Sequence, residues 1–114
     1  MTDLLSITDQ TKNGVQILSL IGRLDSTNAL DFEKKIMEQL DKHSIVLVDF
    51  SQLSFISSAG LRVILMAAKQ AKQRSIQFAL CGMDDNIRGV FEVSGFLRIL
   101  QVYSNIDEAI AALC

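Results

Sequence analysis

Two adjacent serines, Ser57 and Ser58, stand in the stretch FISSAGLR (55–62), between an apolar run and an amphipathic one. A hydroxyl at such a strand-to-helix corner has four uses: capping the helix, attacking a substrate, cradling a phosphate, or accepting one. Capping asks least, since any Ser, Thr, Asp or Asn oxygen can take up an unpaired first-turn amide. Nucleophilic catalysis asks for an activating base, and the hydrolase elbow for Gly-x-Ser-x-Gly. The chain offers neither, and its single histidine, His43, closes the polar end of a predicted helix. Phosphate loops need GxxxxGK[ST] or GxGxxG. The six glycines, at 14, 22, 60, 82, 89 and 95, form neither pattern.

The fourth use makes the serine a substrate. The helix must begin near Ser57 or Ser58; if Ser58 is its N-cap, Ala59 and Gly60 leave the first turn bare, so a kinase can reach the hydroxyl. Phosphate adds about −1.5 to −2 charge. Free amides and the helix dipole favour an anion there by roughly 0.3–1 kcal/mol. Such a modification would leave the fold intact and act on a docked partner by repulsion and desolvation. A purely structural reading, a capped helix with small residues for close packing, stands beside it.

Other reactive side chains give less. Asp49 ends an apolar run where receiver domains keep a phospho-acceptor, but LSLIGRLD (18–25) lacks the acidic pair a receiver needs, so Asp49 is expected to cap a loop. Cys81 reads as a buried small hydrophobe and Cys114 as a free terminal thiol. One histidine and no CxxC argue against zinc. Arg62 is expected on the exposed face of the helix, one turn after Ser58. Met83, Asp84 and Asp85 form a loop at the same strand ends, and Met37 and Met66 read as core filler.

Positioning these residues requires an α/β frame. LLSIT (4–8) and VQILSLIG (15–22) flank the turn KNG and predict a hairpin. Ala29, Phe32, Ile36 and Leu40 recur at helical spacing and predict a helix over about 28–42, with Asp25, Ser26, Thr27 and Asn28 as candidate caps. SIVLVDF (44–50) reads as a buried parallel strand, with SQLSF (51–55) as a connection. A second helix over about 59–74 should turn Leu61, Ile64, Leu65, Ala68 and Ala71 inward. IQFALCG (76–82) is another strand, 84–95 a short helix capped by Gly95, LRILQVY (97–103) a fourth main strand, and 104–114 a terminal helix. The order ββαβαβαβα predicts one α/β domain over 1–114. Its mixed, mostly parallel sheet has an antiparallel N-terminal edge and packs against about four helices.

Composition narrows function. The chain has 114 residues, 49% hydrophobic and 21% charged, with net charge −2, no Trp and one Tyr. That balance speaks against nucleic-acid binding. No apolar run approaches the ~18 residues of a membrane span, and MTDLLSITDQ lacks the features of a signal peptide. A reducing cytoplasm is expected.

Three segments then carry a resemblance. GRLDSTNA (22–29), VLVDFSQLSFISSAGLRVIL (46–65) and GVFEVSGFLRIL (89–100), in this order and at these separations, resemble the STAS domain, specifically the free-standing bacterial anti-sigma factor antagonists. The resemblance covers nearly the whole chain. Position by position it implies Ser58 as phosphoacceptor, with Ser57 as the alternative. It also implies a partner-binding surface of Asp25, Ser26, Thr27, Ser57, Ser58, Ala59, Gly60, Leu61 and Arg62. Ser57 stands where many members have Asp, and Ala59 where many have a second Ser or Thr. The implied mechanism is partner switching. The unphosphorylated protein binds an anti-sigma factor that is also a GHKL-type serine kinase, and phosphorylation releases it. A metal-dependent PPM-type Ser/Thr phosphatase then resets the cycle. ATP and Mg²⁺ belong to the kinase, so this chain is expected to be no enzyme and to hold no cofactor. A monomer or weak homodimer is expected. The alternatives are a STAS scaffold whose docking phosphate does not gate, and a small-molecule or nucleotide-binding enzyme on this fold.

Overall fold

A computed structural model describes residues 5–114. The hairpin pairs β1 (Leu5–Lys12) antiparallel with β2 (Val15–Leu24). Its two-residue turn holds Asn13 at φ 53° and Gly14 at φ 82°. Both positive angles match the right-handed twist of the strands, which is why Asn-Gly is the preferred pair there. β1 extends through the polar TDQTK, because one face of an edge hairpin can carry polar side chains; Leu4 lies outside the described residues.

β2 pairs parallel with β3 (Ile45–Ile56), β3 with β4 (Gln77–Cys81), and β4 with β5 (Val102–Tyr103). The sheet order is therefore β1-β2-β3-β4-β5, with one antiparallel edge. The helices are α1 (Ala29–Lys42), α2 (Ser58–Gln73), α3 (Asp85–Ser94) and α4 (Ile106–Leu113). On one face Leu18, Leu20, Val48 and Phe50 meet Phe32 and Ile36 of α1, Ile64 of α2 and Phe91 of α3. The rings of Phe50 and Phe91 lie 5.9 Å apart. Each such fully buried side chain stabilises the fold by about 1.5–3 kcal/mol. On the other face, among the described residues, α4 covers Val15, Ile17, Leu47, Ala79 and Cys81 with Ala109, Ile110 and Leu113.

Three sequence expectations change. SQLSF (51–55) is not a connection: β3 continues to Ile56 through two bulges, where the register shifts between Ser19 and Ile21 and again between Gly22 and Arg23. Each bulge adds one residue, so burial recurs at Phe50, Leu53 and Ile56. LRILQVY is not a main strand. After Gly95 (φ 79°) the chain makes a 3-10 turn over Phe96–Ile99, and only Val102 and Tyr103 join the sheet. On α2 the buried residues are Gly60, Leu61, Val63, Ile64, Ala67 and Ala71; Leu65 and Ala68, expected inside, lie at its half-buried edge.

Candidate functional site

Leu24 and Ile56 are paired neighbours at the ends of β2 and β3. The parallel strands finish together, so the loop 25–28 and the corner 57–58 leave the sheet side by side. The Ser57 amide donates to the Leu24 carbonyl at 2.9 Å and ties the two segments together.

In the first loop, Asp25 Oδ1 accepts the Thr27 hydroxyl at 2.5 Å and the Thr27 amide at 2.9 Å. These two bonds, with the Arg23 charge adding less, hold the Asp25 carboxyl below its ordinary range. Asn28 occupies the N-cap position of α1 without a side-chain cap bond. Its amide group is used otherwise: Oδ1 accepts from the Asp25 N–H at 3.0 Å and Nδ2 donates to the Arg23 carbonyl at 2.9 Å. Ser26 and Thr27 remain exposed between them.

At the corner, the sequence leaves either serine as the cap of α2, and the structure separates them. Ser57 is the N-cap, with extended backbone (φ −91°, ψ 173°), and its Oγ accepts the Gly60 amide at 3.3 Å. The Leu61 amide bonds the Ser57 carbonyl at 2.9 Å. Ser58 is the first helical residue, exposed, and its hydroxyl makes no protein hydrogen bond among the described residues. The Ser58 and Ala59 amides precede the first intrahelical bond, at the positive end of the helix dipole.

Gly60 and Leu61 lie beneath this surface. A Cβ on Gly60 would fall 2.6 Å from Leu24 Cγ and 3.1 Å from Ile56 Cγ1. Absence of a side chain there lets α2 start directly against the strand ends. Arg62 is exposed, as its helical position predicts. It borders a groove of about 250 Å³ between α1 and α2, with Ser26, Ala29, Leu30, Ala59 and Met66 among its walls. Met66 therefore lines a groove instead of filling the core, whereas Met37 packs against the core. Leu30, 63% exposed, was absent from the residues marked by the sequence. Its signal was present: an aliphatic residue off the Ala29–Phe32–Ile36–Leu40 stripe of α1.

The remaining candidates are placed elsewhere. Asp49 is buried and caps the first bulge, accepting the Ser51 amide and hydroxyl at 3.0 Å each. The Cys81 thiol points at it from 3.7 Å, and burial, followed by the Asp49 charge, pushes that thiol up to about 12. Asp84 caps α3 through the Ile87 amide at 2.8 Å. No His, Cys, Asp and Glu cluster able to hold a metal occurs among the described residues. No helix of the described residues is long and apolar enough to cross a membrane.

Comparison with known proteins agrees with this architecture. Residues 6–109 match the family model described as STAS domain. The chain is 39% identical to BtrV of Bordetella bronchiseptica, provisionally named an anti-sigma factor antagonist, over 95% of this chain and 94% of that one. A crystal structure of an anti-sigma factor antagonist from Mycobacterium paratuberculosis superposes with a TM-score of 0.90 at 20% identity, covering 98% of this chain and 96% of that one. SpoIIAA matches in its unphosphorylated form (TM-score 0.78, 20% identity, 96% of each chain). It also matches, as a Bacillus protein, in its phosphorylated form (TM-score 0.73, 19% identity, 97% and 100% of the two chains).

Proposed function

The chain belongs to the STAS domain family, and from that premise we propose that it is an anti-sigma factor antagonist switched by phosphorylation of Ser58. Unphosphorylated, it binds an anti-sigma factor that is also a GHKL-type serine kinase. Asp25, Ser26, Thr27, Ser58, Ala59 and Arg62, with Leu30 in the α1–α2 groove, face that partner; Gly60 and Leu61 support them from below.

The division of roles between Ser57 and Ser58 carries this reading. Ser57 Oγ is engaged by the Gly60 amide, while Ser58 Oγ is exposed and unengaged. Only the latter can meet a γ-phosphoryl group in line without opening the helix start. In the transfer the bond from Pγ to the bridging oxygen of ATP breaks and the Ser58 Oγ–P bond forms. The hydroxyl proton goes to a base of the kinase, and ADP leaves. ATP and its Mg²⁺ are the kinase's, and this chain contributes the acceptor and its presentation.

The product dianion lies at the start of α2, where the dipole and the first amides favour it. The fold is therefore retained, and the cost falls on the docked partner, whose desolvated surface now faces a dianion. The two forms of SpoIIAA share this architecture, which supports a switch of that kind. A PPM-type Ser/Thr phosphatase restores the binding form.

The test incubates the protein with its cognate kinase and Mg·ATP and maps the product by mass spectrometry. Phosphate is expected on Ser58, abolished by Ser58→Ala and retained in Ser57→Ala. Phosphate on Ser57 alone, or on neither serine, overturns the reading.

A further inference from the structure

The outer edge of α2 and the 3-10 turn enclose a second cleft, remote from the switch corner. Leu65, Ala68, Phe96 and Ile99 form its apolar walls and Lys69 and Lys72 its rim, around about 360 Å³. It continues over Phe78 and Leu100 into a depression of about 370 Å³ that shares Ala68, Lys72 and Ile99. At 1.5 Å per residue Lys72 lies roughly 20 Å along the helix from Ser58.

The cleft exists because β5 is short. The chain leaves Gly95 in a 3-10 turn and joins the sheet only at Val102, opposite Leu80. Ile99 is thereby left 73% exposed. Leu65 and Ala68, whose spacing suits a core, face this gap.

Charge says what fits. The chain carries net charge −2, yet it contains no Asp or Glu from 50 to 83 or from 93 to 106, the segments that build both walls. Lys12, Lys35, Lys42, Arg74 and Arg88 each pair with a carboxylate. Among the described residues Arg23, Lys34, Arg62, Lys69, Lys72 and Arg98 form no ion pair, and of these Lys69 and Lys72 stand on the rim of this cleft. Two unpaired lysines thus rim an apolar trough whose wall segments carry no carboxylate, in a protein that is acidic overall. An acidic segment with an apolar stripe complements both features, the stripe filling the trough and the carboxylates meeting the rim.

We propose that this cleft is a second protein-docking surface, which takes an acidic amphipathic segment of a partner while the Ser58 end is free or occupied. It goes beyond the phosphorylation reading and does not depend on it.

The test titrates ¹⁵N-labelled protein with a synthetic helical peptide bearing Leu at i, i+3, i+4 and i+7 and Glu elsewhere. A counterpart with Lys for every Glu serves as control. The acidic peptide is expected to shift the amides of Leu65, Lys69, Phe96 and Ile99 with a dissociation constant below about 1 mM. The counterpart should bind about tenfold or more weakly. The double variant Lys69→Glu, Lys72→Glu should reverse that preference while keeping its melting temperature, and Ser58→Asp should change nothing.

No shifts at these residues by about 1 mM peptide, or equal binding of both peptides, overturns the proposal. So does the appearance of the same shifts on concentrating the protein alone, which assigns the cleft to a second copy. Binding to phosphatidylglycerol vesicles without binding the acidic peptide assigns it to a lipid surface and likewise overturns it. Failure of Ser58 phosphorylation leaves all these readouts untouched, so the two ideas fail separately.

Discussion

Ser57 Oγ accepts the Gly60 amide at 3.3 Å, and that one bond separates the roles of two adjacent serines. Ser57 holds the helix start and Ser58 is presented by it. Ser57→Ala should destabilise the protein by about 0.5–2 kcal/mol, the usual cost of a lost cap. Ser58→Ala, at an exposed position, should stay within about 0.5 kcal/mol of wild type. Ser58→Asp should be neutral or slightly stabilising, by about 0.3–1 kcal/mol, because the dipole favours an anion in the first turn. Urea denaturation of the three variants checks this order. In a binding assay with the kinase the order inverts: Ser58→Asp should weaken binding by a few kcal/mol while Ser58→Ala binds like wild type. Equal binding of the two would favour an ungated scaffold.

Gly60 is set by packing. Added to it, a methyl group would fall 2.6 Å from Cγ and 2.9 Å from Cδ2 of Leu24, a fully buried side chain. Ala gains about 1 kcal/mol of helix propensity over Gly. The overlap lies at the branch point of a packed side chain, where overpacking costs about 1–3 kcal/mol. Gly60→Ala should therefore be net destabilising, with a lower urea midpoint and an unchanged slope. A more stable Gly60→Ala would mean that the helix start is looser than this packing describes.

Asp25 gives a pH signature. Its carboxyl sits below the ordinary 3.8, chiefly because the Thr27 hydroxyl and then the Thr27 amide bond the charged form. A depressed folded-state value adds stability that is present above the unfolded value and lost as pH falls through the folded one. The loop should thus loosen only under distinctly acid conditions, below about pH 4. Thr27→Val removes the largest contribution and should move the carboxyl titration, followed by NMR, back toward 3.8. An unchanged titration in Thr27→Val would reassign the shift to the backbone.

The frame was legible where one physical demand acted alone. The apolar stripe of α1, the Asn-Gly hairpin turn and the Gly95 cap each follow from a single requirement, and each is found where the sequence put it. The misreadings occur where tertiary structure altered a local period. Bulges turned the two-residue alternation of β3 into burial at Phe50, Leu53 and Ile56, so a strand resembled a loop. In 97–103 a strand-like composition was overridden by the 3-10 turn that follows the α3 cap. At the corner, adjacent serines are equally good caps by type. Only the paired ends of β2 and β3, fixing where α2 begins, separate Ser57 from Ser58. Leu30 was missed because a lone exposed leucine means little until the groove beside it is known.

Cysteine chemistry supplies a test of the core that is independent of any partner. Cys81 is fully buried under α4, and its thiol donates toward the buried Asp49 carboxylate. Burial and that negative charge push it up to about 12, so near pH 8 it is neutral as well as inaccessible. Cys114 is exposed. A disulfide reagent at pH 8 should therefore modify Cys114 in the native protein and reach Cys81 only at the rate of unfolding. Asp49→Asn removes the charge but leaves the burial, the larger cause, so Cys81 should stay protected whenever the variant remains folded. Linkage fixes the sign at alkaline pH. The unfolded thiol ionises near 9 and the buried one near 12, so stability should fall as pH rises through that interval. Rapid labelling of Cys81 in native protein would show that α4 opens on its own, leaving the second face of the sheet uncovered far more often than its packing implies.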